Sequence, residues 1–185
     1  MKLVRYGNPG KEKPGLIDAE GRLRDLSSVV KDIGPEQLSD AALAKLRKLK
    51  ADKLPLVKGS PRMGCPVAGI GKFVAIGLNY SDHAAETGAA IPKEPIVFMK
   101  ATTCIQGAND PVMLPKGSVK TDWEVELGVV IGTRARYVSQ KAALDHVAGY
   151  CTINDVSERE YQTERGPQWD KGKIGRASCR ERVCT

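Results

Sequence analysis

Long apolar runs are missing from this sequence. No stretch approaches the roughly 20 apolar residues that a membrane-spanning helix needs, and residues 1–6 lack the apolar core of a signal peptide. Aromatic residues are scarce, at 5%, and the basic residues are scattered outside the run at 45–53, so the formal charge of +7 does not indicate a nucleic-acid surface. We therefore expect a cytoplasmic protein that binds neither membrane nor nucleic acid.

The cysteines lack the spacing of a metal site. No two of the five are separated by the two residues typical of a zinc knuckle. Free thiols in a reducing compartment are the simplest interpretation. The five are Cys65, Cys104, Cys151, Cys179 and Cys184.

An acidic segment at 122–131 reads as one strand. Residues two apart on a strand share a face, so this segment has an acidic face and an apolar face. These are Asp122, Glu124 and Glu126 against Trp123, Val125 and Leu127. Three neighbouring carboxylates repel each other, and burial would increase that cost. The acidic face is therefore either open to water or occupied by a cation.

A possible acid/base pair follows the apolar segment at 72–78, which reads as a buried strand. His83 and Glu86 lie three residues apart in a predicted short helix, capped by Ser81 or Asp82 and ended by Gly88. A carboxylate beside an imidazole orients the ring and raises its basicity, as a general base requires. The alternative is an ordinary surface contact.

A third acidic group stands at the end of the strand predicted at 150–155. Asp155 could join Glu124 and Glu126 in an all-oxygen site of the kind that suits Mg²⁺, Mn²⁺ or Ca²⁺. The alternative is that Asp155 only ends a strand or caps the helix predicted from the capping-box pattern at 157–160.

Taken together, the segments resemble the fumarylacetoacetate hydrolase family. The resemblance runs in the correct order over about residues 1–173, which makes it more specific than any single motif. The matching segments are Gly77-Leu78-Asn79-Tyr80 with His83 and Glu86, Pro95 to Lys100, Asp122 to Gly128, Asn154 to Ser157, and Gln168 to Lys173. The spelling is most similar to the bacterial branch labelled ureidoglycolate lyase or 2-hydroxyhepta-2,4-diene-1,7-dioate isomerase.

This resemblance implies a fold and a set of roles. The fold would be α+β and mostly β, with a rolled mixed β-sheet catalytic domain. Glu124, Glu126 and Asp155 would hold Mg²⁺ or Mn²⁺, His83 and Glu86 would form the acid/base dyad, and Lys173 would contact the acidic end of the substrate. The implied substrate is a 2-oxo or β-diketo acid or a related small carboxylate, which is hydrolysed at a C–C bond, isomerised or decarboxylated. Family members are usually homodimers.

Three segments follow from the punctuation of the chain and from the resemblance. We predict a small N-terminal α/β domain at 1–66, ending at the Gly- and Pro-rich stretch, and a truncated catalytic domain at 67–173. Residues 174–185 depart from the family and resemble a translated sequencing adapter, so we treat them as an artefact. The strands at 123–131 and 150–155 would then have unpaired edges and an uncovered apolar face.

We therefore expect a fragment of a divalent-metal-dependent enzyme, one that misfolds or aggregates and is inactive by itself. The alternative within enzymes is a ureidoglycolate lyase that releases urea and glyoxylate. The alternative of another class is a non-catalytic remnant that binds a metal or a polyanion.

Overall fold

The computed structural model describes residues 1–174, together with the backbone of 177–179 and 183–184. The helices are α1 (Asp40–Arg47) and α2 (Ser81–Glu86), and a π-helical turn covers Glu160–Glu164. Shorter 3-10 segments include 140–146 and 169–172. The strands are β1 (Lys2–Tyr6), β2 (Lys13–Ile17), β3 (Leu23–Asp25), β4 (Val74–Gly77), β5 (Ile96–Met99), β6 (Ile105–Gln106), β7 (Thr121–Asp122), β8 (Val125–Ile131), β9 (Val147–Asn154), β10 (Ser157–Glu158), β11 (Ala177–Cys179) and β12 (Val183–Cys184).

One mixed sheet dominates the architecture. Its strand order is β3-β2-β1-β12-β9-β11-β6, and β8 pairs with β9 beside this path. Two further sheets have two strands each, β4 with β5 and β7 with β10. The antiparallel hairpin of β2 and β3 confirms the turn expected around Gly21, whose φ of +79° suits glycine. The strands β11 and β12 lie in the tail, where the sequence predicts no contribution to the fold. Residues 175, 176, 180–182 and 185 lie outside the described part.

The largest apolar core is formed mainly by side chains of the first 67 residues. Helix α1 contributes Leu43 and Leu46 to it, and Ser39 caps the helix by accepting a hydrogen bond from the Ala42 amide. Ala148 of β9 packs in the same cluster, so this core also contacts the strand that leads to Asp155. The boundary near residue 66 stays a prediction. The buried members are Leu3, Leu16, Leu26, Ile33, Leu38, Leu43, Leu46, Val67 and Ala148.

The pattern of the acidic segment predicted one strand, and this prediction is wrong. It divides into β7, which pairs with β10, and β8, which pairs with β9. Asp122 therefore lies apart from the acidic face of β8, and its Oδ2 accepts a hydrogen bond of 2.7 Å from Arg159. In the divided pairing, Asp122 lies in β7 and is paired with Arg159.

The apolar face of β8 is exposed, as expected. Trp123, Val125, Leu127, Val129 and Ile131 retain 74%, 65%, 62%, 49% and 56% of their accessible surface. Among the described residues, β8 pairs with β9 alone, so its other edge is open.

The strand predicted at 72–78 forms as β4, but the prediction that it is buried is wrong. Val74 and Ile76 are exposed, and β4 pairs with β5 in a separate two-stranded sheet.

In the part of the chain that the structure describes, no helix has the length and apolarity to cross a membrane.

Candidate functional site

The pairing of β8 with β9 brings Glu124 beside Asp155. The Asp155 amide donates to the Glu124 carbonyl over 2.8 Å, and the Glu124 amide donates to Asn154 Oδ1 over 3.1 Å. Two residues further, Glu126 pairs with Ile153 in the antiparallel ladder. Backbone hydrogen bonding thus places two of the predicted metal ligands side by side, although they are 31 positions apart in the sequence.

Lys173 links these two carboxylates. Its Nζ lies 2.9 Å from Glu124 Oε2 and 3.0 Å from Asp155 Oδ2, and it donates to Ser157 Oγ over 2.8 Å. The Lys173 side chain is 3% exposed, and its ammonium lies 4.9 Å from the centre of the Phe98 ring. The lysine expected to contact substrate is therefore a buried cation that is hydrogen-bonded inside the acidic cluster.

The segment before Lys173 is held by close packing on β4 and β5. The Trp169 ring meets Phe98 edge-to-face at 5.6 Å, and the Met99 amide donates to Asp170 Oδ1 over 3.0 Å. A Cβ on Gly77 would lie 2.5 Å from the indole ring, so only glycine permits this approach. The 3-10 turn at 169–172 is thus fixed from two sides, which places Lys173.

Lys100 is a site residue to which sequence reasoning gave no role. Its side chain is fully buried, forms an ion pair with Asp155 Oδ1 and donates to the Val156 carbonyl over 3.2 Å. Two ammonium groups therefore neutralise Asp155 from opposite oxygens. A lone lysine directly after the apolar strand Ile96–Met99 was the available signal, because a charge that leaves such a strand is buried only when it is paired.

Arg159 supplies a third basic group. It pairs with Glu124 Oε1 at 2.5 Å as well as with Asp122. The capping box predicted at 157–160 is wrong, because Ser157 lies in β10 and its hydroxyl is within 3.2 Å of Glu124 Oε1. The turn that follows is π-helical, and no side chain caps it. Ser157 and Arg159 thus serve the acidic cluster rather than a helix end.

Glu126 is the carboxylate least compensated by these basic groups. Among the described residues, no ion pair within 4.0 Å involves it, whereas Glu124 and Asp155 have two each. Burial raises the pKa of Glu126, and the charges of Glu124 and Asp155 raise it further, while Lys173 and His83 partly oppose the shift. The sequence predicted repulsion among Asp122, Glu124 and Glu126, but in the structure the pKa of Glu126 is raised by burial and by Glu124 and Asp155.

His83 lies near the cluster on α2, but the predicted dyad is not joined. His83 and Glu86 are both exposed, and within residues 1–174 no ion pair connects them. The cap predicted at Ser81 or Asp82 is wrong, because both residues lie inside the helix and Tyr80 precedes it without a side-chain cap. The helix ends before Gly88, as expected. Leu78 precedes the helix with a φ of +48°, a left-handed conformation that is costly for leucine. The strained turn determines where α2 presents His83.

The donor set fits a hard divalent cation in its chemistry. Glu124, Glu126 and Asp155 supply carboxylate oxygens on two paired strands, and burial together with the charges of the other two raises the pKa of Glu126. As the side chains stand, however, no three His, Cys, Asp or Glu groups within the described ranges are arranged to hold a metal ion. Lys173 and Arg159 bind the oxygens that a metal would need, so these ion pairs must loosen for a metal to bind.

Such a site can bind a small anion and move a proton. Buried lysines in a water-poor cluster favour a negative charge on a ligand that displaces their carboxylate partners. The imidazole of His83 on α2 is exposed, and its ring nitrogens can donate a hydrogen bond to such a ligand or accept one from it.

Comparisons with known proteins bear on the family and the fold of this chain. The profile of the family described as "Fumarylacetoacetate (FAA) hydrolase C-terminal" matches residues 72–180. A protein of Burkholderia cenocepacia named "Putative hydrolase" is 64% identical over 173 residues, which is 94% of this chain and 61% of that protein. The chain therefore spans about three fifths of the length of such curated relatives.

Two solved structures share the fold. A probable 2-hydroxyhepta-2,4-diene-1,7-dioate isomerase from Mycobacterium abscessus superposes with a TM-score of 0.76 at 30% identity, covering 100% of this chain and 64% of that one. Maleylpyruvate hydrolase from Sphingobium sp., in complex with manganese(II) and pyruvate, has a TM-score of 0.76 at 20% identity, covering 100% and 67%. At 20% identity the second likeness shows the fold alone.

Proposed function

The chain belongs to the fumarylacetoacetate hydrolase family, and from that premise we propose that it carries the acidic and basic groups of a divalent-metal-dependent enzyme acting on a small carboxylate. The proposed substrate is a 2-oxo or β-diketo acid, and the proposed reaction is C–C bond hydrolysis, isomerisation or decarboxylation. The observation that carries the proposal is the cluster in which the buried Lys173 bridges Glu124 and Asp155, beside Glu126, whose pKa is raised.

In this proposal Glu124, Glu126 and Asp155 hold the metal, Mg²⁺ or Mn²⁺, with Ca²⁺ as a further possibility. When bound, such a cation polarises the carbonyl group of a 2-oxo acid. The raised pKa of Glu126 supports the assignment, because a dication removes the repulsion that raises it.

The basic residues have two proposed roles. Lys100, fully buried and paired with Asp155, keeps that carboxylate in place, while Lys173 pairs with the carboxylate end of the substrate. His83 moves the proton, and Glu86, three residues further along α2, orients the imidazole. The opposing effect of His83 on the pKa of Glu126 supports its nearness to the reacting region.

Metal binding is the first experiment. Titration of Mn²⁺ into the chain, with loss of the free-ion electron paramagnetic resonance signal, is expected to show saturable binding. Glu124→Gln is expected to weaken binding by at least about ten-fold, the scale of a lost site contact. Glu164→Gln is the matched control, because Glu164 is an exposed glutamate paired only with Lys120. Equal Mn²⁺ binding by wild type and both variants would remove the ligand assignment.

Product analysis then separates the reactions. The activity belongs to an intact form with the length of the relatives, and we propose that the 185-residue chain alone is inactive. Release of pyruvate from an acylpyruvate supports the proposed class, whereas release of urea and glyoxylate from ureidoglycolate supports the lyase alternative. Metal binding without turnover of either compound by the intact form would favour the non-catalytic reading.

A further inference from the structure

A second cavity lies away from the acidic cluster, between the beginning of the chain and the segment after β5. Its volume is about 450 Å³, within the range of small-molecule sites. None of the proposed catalytic or metal-binding residues lines it. The lining groups that matter below are Arg5, Glu12, Arg62, Thr103, Gln106 and Asp110.

The charges around this cavity cancel. Arg62 pairs with Asp110 at 2.5 Å and with Glu12 at 2.9 Å, and Arg5 lies 3.6 Å from Glu12. Arg5 also forms an ion pair of 2.6 Å with Asp32. Each guanidinium is thus bonded to carboxylates, and the lining contains two positive and two negative groups. An ionic ligand would have to break these pairs, so the cavity favours a neutral one.

Gln106 shows which hydrogen bond the ligand must supply. The residue is 4% exposed, and its Nε2 donates to the Asp110 carbonyl over 3.3 Å. Among the described groups, none donates to its Oε1, which is fully buried, so a ligand in the cavity reaches this oxygen only after the amide turns toward the cavity. An acceptor that is buried without a partner is costly, and a ligand that donates to it recovers that cost.

We propose that this cavity binds a neutral polyhydroxylated small molecule of about monosaccharide size, with one hydroxyl donating to Gln106 Oε1. Hydroxyl groups both donate and accept, so the same molecule can also meet the Thr103 hydroxyl. The ion pairs of Arg5 and Arg62 form rigid walls around it. The site goes beyond the proposed carboxylate chemistry and does not depend on it.

The test compares three sugars that share the same ring and carry no charge, a positive charge or a negative charge. Saturation-transfer NMR on the dilute 185-residue chain, with D-glucose, D-glucosamine and D-glucuronate, is expected to show the strongest transfer to the neutral sugar. Gln106→Met keeps the length of the side chain and removes the acceptor, so it is expected to weaken glucose binding about five-fold, the scale of one hydrogen bond. Gln140→Met, at an exposed glutamine, is the matched control and is expected to bind like wild type.

A second variant protects the test against misfolding of the first. Ala68 lines the cavity without a polar contact, so Ala68→Leu narrows the space and is expected to reduce glucose binding while all lining charges stay in place. Absence of transfer to glucose in the wild-type chain would overturn the proposal. Stronger transfer to glucuronate or glucosamine would overturn the neutral class, and equal binding by Gln106→Met and Gln140→Met would overturn the role of the amide.

Discussion

The exposed apolar face of β8 predicts that this chain associates with itself. Trp123 is 74% exposed, which leaves about 150 Å² of the roughly 200 Å² that an aromatic side chain can bury. The four aliphatic side chains on the same face are about half exposed or more and add roughly 60 Å² each on the same area scale. The resulting patch of about 400 Å² lies in the range where apolar surfaces mark contacts rather than solvent-facing protein.

The energy of this face is sufficient for association. At about 25 cal/mol per Å², covering the patch contributes on the order of 10 kcal/mol per copy before costs. The loss of translational and rotational freedom costs about 4–15 kcal/mol per complex, and the ordering of side chains adds to that cost. Two copies bury only about 800 Å² in total, so we expect a weak association. The edge of β8 that does not pair with β9 adds backbone groups that a second strand can meet, although the Leu127 amide already donates to the Tyr80 hydroxyl over 3.3 Å.

Sedimentation velocity and light scattering over a wide range of protein concentration measure this association. Val125→Lys with Val129→Lys places two charges on the apolar face and leaves Glu124 and Glu126 on the other, so the double variant is expected to stay monomeric. Val29→Lys with Leu56→Lys is the matched control, because these exposed side chains lie outside the patch. A wild-type chain that remains monomeric with a cooperative thermal transition would refute both the association and the expected misfolding.

Three further predictions concern the interior. Lys100→Met removes one partner of a buried ion pair and is expected to lower the free energy of unfolding by about 3 kcal/mol, the lower end for such losses because Lys173 remains near Asp155. In urea titrations this loss lowers the midpoint by about 1.5 M at an m-value near 2 kcal/mol per M, whereas the exposed control Lys120→Met is expected to change it little. Folding raises the pKa of Glu126, so the contribution of Glu126 to stability in metal-free buffer is present at low pH and is lost as the pH rises through the raised pKa. Glu126→Gln should flatten the dependence of the free energy of unfolding on pH, and an unchanged dependence would contradict the shift. Gly77→Ala forces a Cβ to 2.5 Å from the indole ring and should cost about 1–3 kcal/mol, whereas Gly71→Ala meets no atom within 4 Å and should cost less than half of that.

The local pattern of the sequence was sufficient for several elements. The weak alternation at 2–6 predicts a strand, the glycine that closes the gap at 19–21 predicts a hairpin turn, and the apolar spacing at 38–49 predicts a helix. The structure has β1, the β2–β3 hairpin and α1 at these places, because each depends on neighbouring residues. The strand ending at Asp155 was also predicted, although β9 begins earlier, at Val147. The helix expected after Ser139 is instead a 3-10 segment at 140–146.

Other features depend on partners far along the chain. The division of 121–131 into β7 and β8 depends on pairing with β10 and β9, about 30 residues later, and no periodicity within the segment reveals it. The role of Lys100 depends on Asp155, 55 positions away. The exposed state of β4 likewise follows from its separate pairing with β5, since its own residues are as apolar as those of a core strand.

The charge conflict recognised in the acidic segment has an answer that residue types alone did not suggest. Its expected solutions were water or a metal cation, but Lys100, Lys173 and Arg159 already neutralise Glu124 and Asp155. We infer that Lys173 has two alternative partners. While it is bonded to Glu124 and Asp155, its ammonium is not available to a substrate. If those oxygens bind a metal instead, Lys173 loses both of its carboxylate partners while it stays buried. It then needs another anion, because an unpaired buried charge is costly. A carboxylate substrate supplies that anion, so metal and substrate should bind with positive cooperativity. Mn²⁺ titrations with and without pyruvate measure this coupling, and equal Mn²⁺ affinity in both would contradict the exchange of partners at Lys173.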